Sequence, residues 1–397
     1  MERGWCFNSA LLPRLLLTLC FFYPFLIITL KTKNYYFLID CLKVLAALLI
    51  ILHHLSSYGQ VAEDARLLFP RIMTWLFEYG RYAVQIFLVM GGYLASQSLV
   101  KSSTKSGGQV FNQHTLLKVI LNRYFRLFAP YIVALMVTIA CAWCARFWVQ
   151  DEFVGESETL GQFLSHLFFL QGILGFDSIS AGVWYVAIDW QLYTFLAIML
   201  ALLPTYRSAI WFITILVIGS LLYFNRHSEY ESFFVYFIGS YGLGVLAHFA
   251  GSKYDQLLAD VQTQRLSKLL ILAVGLVIVV SSLYEIWMRN FLAFFVAIIL
   301  LFWGNCSYID SKNDKWQALM RMIAWASHRS YCAFLIHFSF ILLANTIYIA
   351  CGLSNKANEG TGVYAFGMMS VALIASWFTA NYLYRFIEVP ARRIKWK

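Results

Sequence analysis

The sequence predicts an all-α polytopic membrane protein with about ten transmembrane helices. Of its 397 residues, 61% are hydrophobic and only 13% are charged, whereas a soluble domain is nearer half apolar and a quarter charged. Apolar stretches of about 20 residues, enough to cross a bilayer as a helix, recur with short polar connections between them. No stretch outside them is long enough to form a second domain.

The apolar stretches divide the chain into an N-terminal hydrophobic segment, residues 1–33, and a membrane domain, residues 34–397. The apolar run at 11–30 could form an extra helix, but Pro13, Arg14 and Pro24 make it a poor core helix. The apolar piece at 160–175 is too short and too Gly-broken to span, so we expect it to be re-entrant. The expected spans are 36–57, 75–98, 127–149, 182–203, 207–224, 233–250, 267–284, 287–304, 330–350 and 364–387.

The distribution of charge predicts the orientation of these spans. The net charge of +10 could suggest a nucleic-acid-binding protein, but the alternate loops hold eighteen Lys and Arg residues in one set and six in the other. The positive-inside rule places the richer set in the cytoplasm. The basic residues thus follow the loops on one side of a membrane, so we expect membrane lipid, and no nucleic acid, among the partners.

The first span, YFLIDCLKVLAALLIILHHLSS, carries four ionisable side chains: Asp40, Lys43, His53 and His54. His54 lies eleven positions after Lys43, which is three helical turns plus roughly 20°, so both lie on one stripe about 16 Å apart along the axis. Asp40 falls on the same stripe at the cytoplasmic end, while His53 is turned about 100° away. Helix-end anchoring and a packed histidine would explain this pattern, and so would a functional row of side chains.

The spacing of Asp, two residues, Lys, ten residues and His resembles the first-helix signature of the acyltransferase family 3 membrane proteins. Members are multi-pass enzymes of the bacterial inner membrane that move acyl groups, usually acetyl, onto glycans of the cell surface. Further matches follow in family order from residue 34 to 393. They are Gly80, Phe87, Gly91, Gly92 and Tyr93 in the second span, NRYFRLFAPY at 122–131, Trp184, Asp189, Gln191 and Tyr193 in VWYVAIDWQLYTF, SYCAFLIHFSFIL at 330–342, and FIEVPARR at 386–393.

The resemblance implies an acyl-CoA donor, acetyl-CoA or another, and no metal. Lys43, Arg123 and Arg126 would lie nearest the phosphates of coenzyme A, because guanidinium groups bind phosphate with a planar fork. Ordinary positive-inside anchoring is the alternative reading of the two arginines. His54 would be the general base on an acceptor hydroxyl, or would itself carry the acyl group.

A buried carboxylate needs a partner, and Asp189, where the family usually has Glu, is expected at a depth within about 5 Å of His54. We therefore expect Asp189 to orient the imidazole. The acceptor would be a glycan or lipid-linked sugar. The candidate substrate-binding residues are Asp40, Arg81, Trp184, Tyr193 and His337, the last expected one or two turns into the membrane from the inside.

A transporter or flippase is the alternative function. It would use Asp40, Lys43, His54 and Asp189 as a polar pathway, and it predicts inverted repeats or paired broken helices. The sequence shows no clear repeat between its halves, which favours the acyltransferase.

Overall fold

The computed structural model describes residues 36–105, 113–150, 152–251, 261–283, 287–304, 314–354 and 360–394. These residues form helices and the turns that join them, with no strand in the described ranges. The predicted all-α fold is therefore confirmed. The N-terminal segment 1–33 lies outside the described residues, and its extra helix stays a prediction.

Each of the ten expected spans falls largely on helical residues, although the span at 75–98 is divided by a 3₁₀ turn, Gly80–Ala83. Within the described ranges, nine helical stretches are long and apolar enough to cross a membrane, and a further apolar helix, Met288–Trp303, has 16 residues. The chain is thus a polytopic membrane protein. The helices in chain order are α1 (Phe37–Ser57), α2 (Gly59–Leu68), α3 (Pro70–Tyr79), α4 (Val84–Lys105), α5 (Gln113–Ala145), α6 (Leu160–Leu167), α7 (Val183–Leu202), α8 (Tyr206–Leu222), α9 (Phe234–Gly251), α10 (Val261–Ser282), α11 (Met288–Trp303), α12 (Asp314–Ala350) and α13 (Thr361–Leu383).

Two helices organise the packing of the others. The 37-residue α12 packs against α1, α5 and α13, and α9 packs against α4, α8, α10 and α11. Helices α4 and α9 approach closely because glycine faces backbone on both sides. A Cβ at Gly92 would lie 1.9 Å from the carbonyl oxygen of Tyr241, and one at Gly244 would lie 1.9 Å from that of Val89. These glycines are therefore packing residues.

The segment between α5 and α7 descends into the helical bundle, as the sequence predicts for 160–175. The Tyr124 hydroxyl of α5 donates a hydrogen bond to the carbonyl of Leu167 at 2.6 Å, and Gln191 of α7 donates to the carbonyl of Phe169 at 3.0 Å. Tyr124 lies about 30 Å along α5 from the end of that helix at Ala145. Helix α7 therefore begins inside the bundle, and its first turns lie deeper than a count from the membrane surface suggests.

Candidate functional site

Two cavities between the helices contain most of the predicted site residues. The outer cavity has a volume of about 660 Å³, and the inner cavity, near the predicted cytoplasmic end of α1, about 190 Å³. Tyr185 and Phe334 line both of them. The outer cavity includes His53, His54, Arg81, Trp184, Glu231, Tyr236, Trp287 and Arg289 in its lining, and the inner cavity includes Lys43, Phe87, Arg123, Arg126, Asp189, His328, Glu388 and Arg392.

A pair of buried histidines defines the chemistry of the outer cavity. His54 Nδ1 lies 2.7 Å from His337 Nε2, and His337 Nδ1 lies 2.6 Å from the carbonyl oxygen of Phe334. A carbonyl oxygen only accepts, so His337 Nδ1 carries a proton and, in the neutral ring, His337 Nε2 offers a lone pair. His54 Nδ1 must then donate to it. This leaves Nε2 of His54 unprotonated, as a general base or a nucleophile requires.

The depth predicted for His337 is wrong. Its ring lies beside that of His54, with the centroids 5.0 Å apart and the ring planes within 8°, and His54 lies near the outer end of α1. The prediction counted from an expected start at residue 330, whereas α12 begins at Asp314. Sixteen further residues add about 24 Å of helix on the cytoplasmic side.

Asp189 does not pair with His54, so that prediction is also wrong. Its carboxylate accepts from Arg123 Nη2 at 2.5 Å, and the residue is only 6% exposed. Because α7 begins inside the bundle, Asp189 lies at the level of Arg123 on α5. Tyr193 lies under the same guanidinium, 5.1 Å from its ring centroid, and lines neither cavity. Its position against Arg123, away from both cavities, does not support the predicted contact with substrate.

The inner cavity gathers cations from three separate parts of the chain. Lys43 lies 3.9 Å from Asp40, which also accepts a hydrogen bond from Ser327. Asp40 itself lines neither cavity, so this geometry does not support its predicted contact with substrate. Arg126 lies close enough to Lys43 and to Arg392 for its charge to interact with both of theirs.

Arg392 lines the inner cavity, although it is not among the site residues predicted from the sequence. It pairs with Glu388, which also accepts from Cys332 Sγ at 3.0 Å. A π-turn, Tyr384–Glu388, precedes it, and such turns recur at functional sites in helices. The usable signal was the i, i+4 spacing, which places Arg392 and Glu388 on one face.

The outer cavity has an aromatic and basic lining. The Trp184 ring stacks on Phe237 at 5.3 Å, and the Arg81 guanidinium lies 5.5 Å from the Tyr82 ring, so both predicted residues reach this cavity. Sequence reasoning missed Arg289, whose guanidinium lies 4.5 Å from the ring of Trp287. The available signal in the sequence was the pair Trp287 and Arg289 in a short connection predicted on the outer side. Such a lining, apolar rings with a few polar groups, is typical of a small-molecule site.

A buried histidine pair at the wall of an aromatic cavity, with a basic cavity beside it, is typical of a functional site in a multispan membrane protein. A family model described as an acyltransferase domain matches residues 36–381. The chain therefore belongs to the acyltransferase 3 family, which confirms the resemblance found in the sequence, and it is a membrane acyltransferase. The matched range contains the histidine pair, Lys43 and Arg126, while Glu388 and Arg392 follow it. No curated protein and no solved structure gives a significant match.

Proposed function

We propose that this enzyme transfers an acyl group, with acetyl as the expected one, from acyl-CoA to a hydroxyl of a cell-surface or lipid-linked glycan. The observation that carries the proposal is the hydrogen-bond chain from the Phe334 carbonyl through His337 to His54. It leaves an unprotonated His54 Nε2 at the wall of a cavity of about 660 Å³.

The reaction uses this nitrogen as the general base. As the acceptor oxygen attacks the thioester carbon, its proton moves to His54 Nε2. The C–S bond then breaks, the acyl group remains on the acceptor as an ester, and the imidazolium gives its proton to the departing thiolate. His337 accepts from His54 Nδ1 throughout, which keeps the ring in this tautomer. A two-step form, in which Nε2 attacks the thioester itself, uses the same geometry.

The donor would bind with its phosphates at the inner cavity. Lys43, Arg126 and Arg392 supply three cations there, and hydrogen bonds between such groups and phosphate are among the stronger ones in proteins. Arg123, also predicted to bind phosphate, donates to the Asp189 carboxylate, and Arg392 likewise pairs with Glu388. The proposed role of Arg123 is to hold α5 against α7, because its ion pair joins these two helices. The Arg392–Glu388 pair is local, at i, i+4, and leaves a third of the Arg392 side chain exposed, so Arg392 stays with Lys43 and Arg126 as a proposed phosphate contact.

The acceptor would bind in the outer cavity. Trp184, Trp287 and Tyr236 present ring surfaces, while Arg81 and Glu231 provide a donor and an acceptor for sugar hydroxyls. The wide outer cavity suits a sugar, and the narrower inner cavity of about 190 Å³ suits the arm of coenzyme A.

The proposed location is the bacterial inner membrane, with the outer cavity facing away from the cytoplasm. The family and the asymmetric Lys and Arg distribution support this orientation. A reporter inserted after Glu156 should read as external, and one inserted after Gly107, which lies outside the described residues, as cytoplasmic. The reverse pattern would place the donor cavity on the wrong side of the membrane for cytoplasmic acyl-CoA.

The direct test is an assay of the purified protein in lipid nanodiscs with acetyl-CoA and a lipid-linked glycan extract of the host envelope. We expect release of free CoA that depends on the extract, with a new ester detected on the glycan by mass spectrometry. His54→Ala should abolish both signals in a protein that still inserts. Glycan transport without ester formation would instead indicate the flippase.

A further inference from the structure

Three aromatic rings stand between the two cavities. Phe87 of α4, Tyr185 of α7 and Phe334 of α12 contact one another in all three pairs, with ring centroids 5.7, 6.0 and 5.8 Å apart. Tyr185 and Phe334 line both cavities, and Phe87 lines the inner one. We call this group the aromatic septum.

The septum differs from ordinary core packing in its surroundings. Phe87 and Tyr185 are only partly buried, because cavities open beside them, whereas core aromatics such as Tyr93 and Tyr131 have no exposed surface. Phe334 is also held in place: a Cβ at Gly182, whose φ is +91°, would lie 2.9 Å from its ring. The three rings therefore form a thin wall with space on both sides.

The proposed reaction requires the acyl group to cross this wall. The cations that would hold the phosphates lie in the inner cavity, and His54 lies in the outer one. Lys43 and His54 are eleven residues apart on α1, about 16 Å along its axis. Because Tyr185 and Phe334 line both cavities, the direct path for a thioester anchored near Lys43 to His54 Nε2 runs between the rings.

We propose that Phe87, Tyr185 and Phe334 form a size filter for the acyl group, and this inference rests on the proposed function. A short acyl group needs only a small displacement of the rings, and each further methylene enlarges the opening that packed side chains must provide. The carbonyl of Phe334 also holds His337. Phe334 and His337 thus lie on the same turn of α12, so this ring of the filter keeps its distance from the histidine pair when the other two rings move.

The test compares acyl-CoA donors of increasing length on the purified protein with the envelope glycan extract as acceptor. Free CoA release gives kcat/KM for acetyl-, butyryl- and hexanoyl-CoA. One methylene in an apolar pocket changes selectivity by roughly tenfold or more. Phe87→Ala should therefore raise the hexanoyl-to-acetyl ratio at least roughly tenfold, and Phe87→Trp should lower the butyryl-to-acetyl ratio.

A matched control is Phe195→Ala, which truncates another ring pair, Phe195–Phe234, whose members line neither cavity. It should leave the ratios unchanged. Because the readout is a ratio, a lower yield of folded protein does not alter it, and Phe87→Leu provides a milder truncation if Phe87→Ala fails to fold. Equal ratios in wild type and all Phe87 variants would overturn the filter, whereas absence of acetyl-CoA turnover in the wild type would overturn the proposed function itself.

Discussion

His337 should act as a positioning residue, and the hydrogen-bond chain predicts how its replacement changes catalysis. His337→Leu removes the acceptor of the His54 Nδ1 proton, so the ring is free to rotate and to move its proton to Nε2. His337→Gln places an amide oxygen near the former Nε2 and restores an acceptor. The two variants therefore test the hydrogen bond separately from the volume of the side chain.

The magnitude follows from the burial of the pair. His337 is 1% exposed and His54 is 9% exposed, and leaving a buried donor without its acceptor costs about 1–3 kcal/mol. If the tautomer with an unprotonated His54 Nε2 is destabilised by this free energy, kcat falls by a factor of about 5 to 150, because each 1.36 kcal/mol corresponds to tenfold. His337→Leu should show this loss, and His337→Gln should regain most of it.

The assay is CoA release at saturating glycan with acetyl-CoA varied. The loss should appear in kcat, with KM for acetyl-CoA unchanged, because His337 lies away from the inner cavity that holds the donor. His248→Leu is the matched control, since His248 is an equally buried histidine, 4% exposed, in α9. The reasoning is refuted if His337→Gln is as slow as His337→Leu, or if His248→Leu loses as much activity.

Three further predictions concern the residues around the pair. His54→Ala should lower the rate by a factor of about 10²–10⁴, while His53→Ala should cost much less because His53 Nδ1 donates to the carbonyl of Leu76 at 3.0 Å. Initial rates on equal amounts of inserted protein measure both losses, and a larger loss for His53→Ala would contradict the assignment. Lys43→Ala should raise KM for acyl-CoA about tenfold to a hundredfold with kcat retained, and Lys43→Arg should restore it, since a charged hydrogen bond is worth about 1.5–3 kcal/mol. Asp189→Asn should destabilise the protein by about 3–5 kcal/mol because it leaves Arg123 unpaired, and the double variant Asp189→Leu with Arg123→Leu should recover part of the lost stability. The thermal unfolding midpoint in detergent measures the loss, and an unchanged midpoint for Asp189→Asn would contradict the prediction.

The sequence predicted the number and order of the spans well, because a bilayer demands apolar helices of a minimum length. It predicted some helix ends poorly. Helix α5 begins at Gln113 and α12 at Asp314, well before the expected spans at 127 and 330. Their first turns are polar and project beyond the apolar stretch, so hydropathy does not register them.

The sequence predicted which residues line the cavities better than it predicted which residues contact one another. Periodicity gives the face of a helix, and His54 and Lys43 indeed line cavities at opposite ends of α1. It gives no information on the neighbouring helix at that face. The depth of His337 and the starting depth of α7 depended on where other segments begin, and this information is not local to either stretch.

The choice of partner for Asp189 follows from the charge of the two candidates. A guanidinium is always protonated, whereas an imidazole carries a full charge only part of the time near neutral pH. A carboxylate at 6% exposure is therefore stabilised more by Arg123 than by His54. Because Arg123 balances the charge of Asp189, the hydrogen-bond acceptor of His54 is a neutral group, the Nε2 atom of His337. A carboxylate in that place would stabilise the imidazolium after proton transfer. In the proposed mechanism, the neutral imidazole acceptor therefore favours prompt return of the proton to the departing thiolate.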